Sequence, residues 1–179
     1  YELYSMGDSI SVSIEYSPVN ATFDSTNIQF PSVDGIYFKS IKSNRIKIFG
    51  FDRTYTSAMQ LRLRLAKIGY DGEAVNNVAL MVDFPEILNK NDLIIIFTIR
   101  DNHKQYAPIV TEAHSAGIPV ICITMTPNLK FKKHCDQYIC LPSISKEMDY
   151  SFLDNQAIFI VFIEMILGSL ATLSRENHR

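Results

Sequence analysis

Three continuous apolar runs stand out along the chain: Ile46-Lys47-Ile48-Phe49, Leu93-Ile94-Ile95-Ile96-Phe97 and Val120-Ile121-Cys122-Ile123. Each ends on a small or hydroxyl-bearing residue, Gly50, Thr98 and Thr124 in turn, and leads into a helix-like segment. Runs of this length without alternation suit strands buried on both faces of a parallel sheet. Ligands of such sheets bind at the carboxyl ends of the strands, in the loops that open the following helices. The pattern therefore directs any function to residues 50–55, 98–104 and 124–128.

The intervening pattern predicts the remaining elements. A helix is expected from about Thr54 to Ile68, with Tyr55, Ala58, Met59, Leu61, Leu65 and Ile68 facing inward and Gly69 as its C-terminal cap. Residues 74–78 read as a strand and residues 83–88 as a short helix or turn. Residues 104–115 read as a helix closed by Gly117, with a helical turn over 131–135 and an edge strand over 137–141. A long final helix is expected over 154–173. It is apolar nearly all round, from Ile158 to Leu167, which suits either a wholly internal helix or one that also meets another subunit. Towards the N-terminus, Ile10, Val12, Ile14 and Tyr16 alternate with polar residues, as in a half-buried strand, although Ile10 and Ile14 would also share a helix face. Ser32 can cap a helix carrying Val33, Ile36, Tyr37 and Ile41.

Composition narrows the function classes. The chain has 179 residues, 47% apolar and 20% charged, which fits one globular domain with a sizeable core. Net charge is −2 and the pI about 6.1, so the totals do not announce a nucleic-acid surface. The three cysteines, Cys122, Cys135 and Cys140, read as reduced thiols in a cytoplasmic compartment. His134, Cys135 and Cys140 lack a second ligand pair at zinc-like spacing, so neither a metal nor a cofactor is expected. No apolar stretch approaches the roughly 20 residues that span a bilayer. The chain opens on Tyr1 without an initiator methionine, which reads as a piece of a longer protein.

Several phrases are more specific. Ile46-Lys47-Ile48-Phe49-Gly50, Leu65-Ala66-Lys67-Ile68-Gly69, Asn91-Asp92-Leu93-Ile94-Ile95-Ile96-Phe97-Thr98 and Ala113-His114-Ser115-Ala116-Gly117-Ile118-Pro119-Val120-Ile121-Cys122-Ile123-Thr124 together resemble a SIS (sugar isomerase) domain. The likeness is greatest to the effector domain of RpiR-type bacterial transcription regulators. It covers residues 41 to 170, which leaves 1–40 as an N-terminal linker or extension and 41–179 as the domain. The resemblance implies a three-layer α/β/α sandwich with a five-stranded parallel sheet of flavodoxin-like topology. It also implies a sugar phosphate, or a related small anion, held by loop hydroxyls and helix-start amides.

The family's first loop reads G-x-G-x-S and its second S-x-S-x-x-T. Here Gly50 is kept, the second glycine is Asp52 and the serine is Thr54. In the second loop the pattern becomes Thr98, Arg100 and His103, with Asp101 where the family has glycine. The candidate ligand residues are therefore Gly50, Thr54, Thr98, Arg100, His103 and Thr124. Two added carboxylates oppose a phosphate: like charges ~4 Å apart cost on the order of 1 to 4 kcal/mol between water-like and surface-like dielectrics. Arg100 and His103 either replace the lost hydroxyls as anion donors or are ordinary surface groups, with Thr98 as a helix cap.

Three functions compete. One is a sugar-phosphate-sensing, dimerising effector domain, not itself an enzyme, whose DNA contact is made through a helix-turn-helix domain upstream of this chain. Another is an aldose–ketose isomerase, for which Glu147 lies in the stretch where the family places an acid. The third is a scaffold that has lost its ligand. A hydrolase or dinucleotide site is not supported, since neither G-x-S-x-G nor a further glycine pattern after Gly50 is present.

Overall fold

The computed structural model describes residues 2–6, 9–13, 45–77, 86, 88–100, 103–143 and 155–176. Strands β1 (Glu2–Met6) and β2 (Ser9–Ser13) form an antiparallel hairpin that pairs Leu3 with Val12. The main sheet follows: β3 (Arg45–Gly50), β4 (Gly72–Val75), β5 (Asp92–Thr98), β6 (Val120–Thr124) and β7 (Gln137–Cys140). Its order is β4-β3-β5-β6-β7 and every pairing is parallel. Helices α1 (Arg53–Lys67), α2 (His103–Ser115) and α3 (Gln156–Glu176) cover it.

The pleat divides each apolar run between two cores. Ile46, Ile48, Leu93, Ile95, Phe97, Ile121 and Ile123 face α1 and α3. Phe49, Ile94, Ile96, Val120 and Cys122 face α2. This accounts for runs with no polar alternation, because both faces are dry. The expected sandwich, strand number and flavodoxin-like order are all present, and the strand order reverses between β3 and β5.

Charged groups tie the sheet's margins. Arg45 grips Asp92 with two hydrogen bonds of 3.1 Å each, and the Asp92 carboxylate also accepts the Asn89 N–H. Lys47, buried in β3, pairs with Glu73 of β4. On the other face Arg64 of α1 bonds Glu164 of α3 at 2.6 Å.

The helices differ in detail from the sequence expectation. In α1 the buried side is Thr54, Ser57, Ala58, Leu61 and Leu65, whereas Ile68 is 42% exposed because it falls beyond the last helical turn. Gly69 and Gly117 have φ of 88° and 71°, the left-handed conformation that ends helices and suits glycine. In α3, Phe159, Phe162, Ile163 and Ile166 are fully buried within one chain, and Phe159 meets Phe97 edge-on at 5.4 Å. Most of the helix's apolar surplus is thus internal; Val161 is 47% exposed and Ile160 and Met165 are half-buried. The expected helix over 32–41 and most of residues 83–88 lie outside the described residues, as do Ile14, Tyr16, Asp101 and Glu147.

Candidate functional site

The reversal of strand order places the carboxyl ends of β3 and β5 side by side, with Gly50 paired to Phe97. Thr98 is paired to Thr124 at the ends of β5 and β6. Gly50, Thr98 and Thr124 therefore share one rim, with Thr54 in the first turn of α1 and Arg100 in the loop after β5 beside it. His103 begins α2 at the same rim.

The first loop is a tight strand-to-helix turn. A Cβ on Gly50 would lie 2.5 Å from the Thr54 carbonyl oxygen and 2.8 Å from the Tyr55 nitrogen, so no side chain fits without moving backbone. The Thr54 hydroxyl accepts the Phe51 N–H at 2.9 Å and donates to the Phe51 carbonyl at 2.8 Å. Phe51 lies against Tyr106 of α2, with ring centroids 5.1 Å apart. Tyr106 is wholly buried and its hydroxyl donates to the Phe97 carbonyl. Burial, followed by the neighbouring Cys122, holds that phenol far above its ordinary pKa.

Asp52 stands between these anchored residues with φ 47° and ψ −121°. That backbone is natural for glycine and costs other residues on the order of 1–3 kcal/mol. The aspartate thus holds a chain path suited to glycine. Its side chain is exposed and makes no capping hydrogen bond to α1.

The second and third loops are tied to each other. Thr98 donates to the Arg100 carbonyl at 2.7 Å, closing its own loop rather than capping α2. Thr124 accepts the Thr126 N–H at 3.0 Å, and Thr126 donates to the Ile99 carbonyl at 2.7 Å. Tyr138 accepts the Leu129 N–H and donates to the Thr126 carbonyl; burial, the largest cause, pushes its phenol up to about 12. Thr54, Thr98 and Thr124 are all buried, at 7%, 1% and 0% exposure, while Arg100 is exposed. The six expected residues thus gather at one rim, but their three hydroxyls already serve the loops. The role of Tyr106 as the floor beneath Phe51 was not read from the sequence; its position three residues after His103, on the inner side of a helix start, is the signal that could have found it.

Other groups lie elsewhere. An open depression of about 430 Å³ runs along the outer side of α2, lined by Lys104, Ala107, Pro108, Thr111 and Glu112. Among the described residues no group of three or more His, Cys, Asp or Glu could hold a metal ion. The cysteines are free thiols. A hydrogen bond with Cys135, then burial, raises Cys122 well above its usual pKa, and burial raises Cys140. No described helix is long and apolar enough to cross a membrane.

The model of the SIS domain matches residues 40–167. The chain belongs to the SIS domain family. Among solved structures, this SIS chain is similar to the sugar isomerase domain of an RpiR transcription factor from Sphaerobacter thermophilus, at 14% identity and TM-score 0.66, covering 86% of this chain and 89% of that one. It is also similar to the Vibrio vulnificus NanR protein complexed with ManNAc-6P, at 14% identity and TM-score 0.66, covering 75% of this chain and 51% of that one. A third likeness, at 18% identity and TM-score 0.57 over 79% of this chain and 77% of the other, is to a Methanococcus jannaschii protein with an inferred 3-hexulose-6-phosphate isomerase function. No curated protein matches the chain.

Proposed function

We propose that this SIS domain is the sugar-phosphate-sensing and dimerising effector domain of an RpiR-type cytoplasmic regulator. In this reading 41–179 is the sensor and 1–40 an extension. DNA is met through a helix-turn-helix domain outside this chain, and a second copy packs through the surface of α3 around Val161. The observation that carries the proposal is the polar rim at the switch point, built on a backbone similar to that of an RpiR sugar isomerase domain over 86% of this chain. The sugar phosphate bound to NanR supports the ligand class. With three hydroxyls already bonded internally, the ligand's anion is met by Arg100 and by backbone amides at the start of α2.

An aldose–ketose isomerase is the second reading, favoured by the inferred isomerase function of the M. jannaschii neighbour. It is the weaker one. Isomerisation requires a base held within hydrogen-bond reach of a carbon-bound proton, and a small misplacement is costly. The rim's buried groups are threonine hydroxyls committed to loop carbonyls and amides, which suits recognition better than proton transfer.

A panel of sugar phosphates titrated into the labelled chain, followed by amide NMR, tests the location. Shifts are expected in 50–55, 98–104 and 124–126. Shifts confined to another surface overturn the site. Silence across the panel favours a scaffold without ligand, and turnover of any member favours the isomerase.

A further inference from the structure

His114 lies in the last turn of α2, and His134 ends the 3-10 turn Lys132–His134 that precedes β7. Their ring centroids are 5.2 Å apart, with the planes at 61°. Two imidazoles on one tetrahedral ion, each at a metal–nitrogen distance of about 2.1 Å, have centroids roughly 5 Å apart. We propose that His114 and His134 form a binding site for a borderline divalent transition ion of the Zn²⁺ class, with water in its remaining positions.

The pair is held ready by its supports. On α2, Ile109, Val110 and Ala113 are anchored in the core; beside the turn, Leu129 and Phe131 are anchored in the same core. The turn is closed by hydrogen bonds from the Lys132 N–H to the Leu129 carbonyl and from the His134 N–H to the Phe131 carbonyl, each at 3.0 Å. Two rings from separate, core-anchored elements thus already lie in edge contact before any ion arrives, so little backbone ordering remains to be done.

The neighbourhood also sets the site's selectivity. Cys135 turns its thiol towards the Phe131 carbonyl, with sulfur and oxygen 3.7 Å apart, so it is not a third ligand. Lys133 opposes added positive charge, which limits affinity. A site of two imidazoles selects Cu²⁺, Ni²⁺ and Zn²⁺ and passes over Mg²⁺ and Ca²⁺, which take oxygen ligands. An ion here would clamp the C-terminal end of α2 to the turn before β7. The N-terminal end of the same helix opens the rim at Thr98, so the clamp would act on the helix that carries the ligand loop.

Thermal unfolding and histidine ring NMR of the whole chain, with Zn²⁺ or Mg²⁺ added separately, test the proposal. Zn²⁺ is expected to raise the wild-type midpoint and shift both imidazoles, and Mg²⁺ to do neither. His114→Gln and His134→Gln should each weaken Zn²⁺ binding at least tenfold while leaving the metal-free midpoint close to wild type. Cys135→Ser and Cys140→Ser should keep the response. No Zn²⁺ response in the wild type, a response unchanged in both histidine variants, or a response lost only in the cysteine variants would each overturn the site. None of these outcomes bears on sugar-phosphate binding.

Discussion

In the loop after β3 the Thr54 hydroxyl is buried and bonded twice to Phe51; in the loop after β5 the Thr98 hydroxyl bonds once to Arg100, whose guanidinium lies outside. Both loops join a central strand to a helix at the same rim. The first is a closed turn with backbone against backbone at Gly50 and an aromatic floor of Phe51 on Tyr106. The second offers an exposed cation at its edge. The difference separates two tasks that one phosphate loop would combine: the first loop fixes the architecture, and in the proposed sensor the second would select what binds.

The sharpest way to break this contrast is Gly50→Ala. Its methyl would meet the Thr54 carbonyl at 2.5 Å, so the turn must open, at about 3 kcal/mol of stability in a denaturant titration. A loss below ~0.5 kcal/mol would mean that the first loop yields easily. Arg100→Ala should do the opposite, leaving stability within ~0.5 kcal/mol while weakening sugar-phosphate binding by about 1.5–3 kcal/mol. Lysine should restore only part, because it lacks the planar fork. Binding unchanged or improved in the alanine variant would make Arg100 a block over the rim. Thr54→Val removes a donor and an acceptor at constant shape and leaves the Phe51 N–H and carbonyl without the hydroxyl; a loss of about 1–2 kcal/mol is expected. Equal sensitivity at Thr98→Val would erase the distinction between the loops. The smallest effect is Asp52→Gly, which relieves the positive φ and should raise stability by about 1 kcal/mol, observed as a higher unfolding midpoint. A lower midpoint would show that the Asp52 side chain contributes contacts that outweigh the strain.

The sheet was legible because its physics is written in every residue of each run. Ile46, Ile48, Leu93 and Ile95 must go to one face and Phe49, Ile94 and Ile96 to the other, and no polar residue contradicts the assignment except Lys47, which finds Glu73 across the strand pair. The rim residues were legible as a group, since they follow the strands. What their hydroxyls do was not. Whether Thr98 caps a helix or bonds the Arg100 carbonyl depends on a rotation of one side chain, which no periodicity encodes. Ile68 shows a related limit: helical spacing continues past Lys67, but the helix does not, and one residue beyond its end the inward face becomes an outward one. The meeting of His114 with His134 needs two separate elements to dock, so local sequence carries no sign of it.

The two faces of the sheet also differ in when they can close during synthesis. The α2 face is assembled from neighbours in sequence: Ile94 and Ile96, then Ile109 and Val110, then Val120 and Phe131. The opposite face waits for Phe159, Phe162 and Ile166, which follow all five strands in sequence, and the Arg64–Glu164 bond spans 100 positions. Until then Phe97, Ile121 and Ile123 have only part of their cover. The α2 face is thus built from segments close in sequence, whereas the opposite face depends on a helix far from the strands it covers, so a chain cut before α3 is expected to expose Phe97, Ile121 and Ile123 and to aggregate.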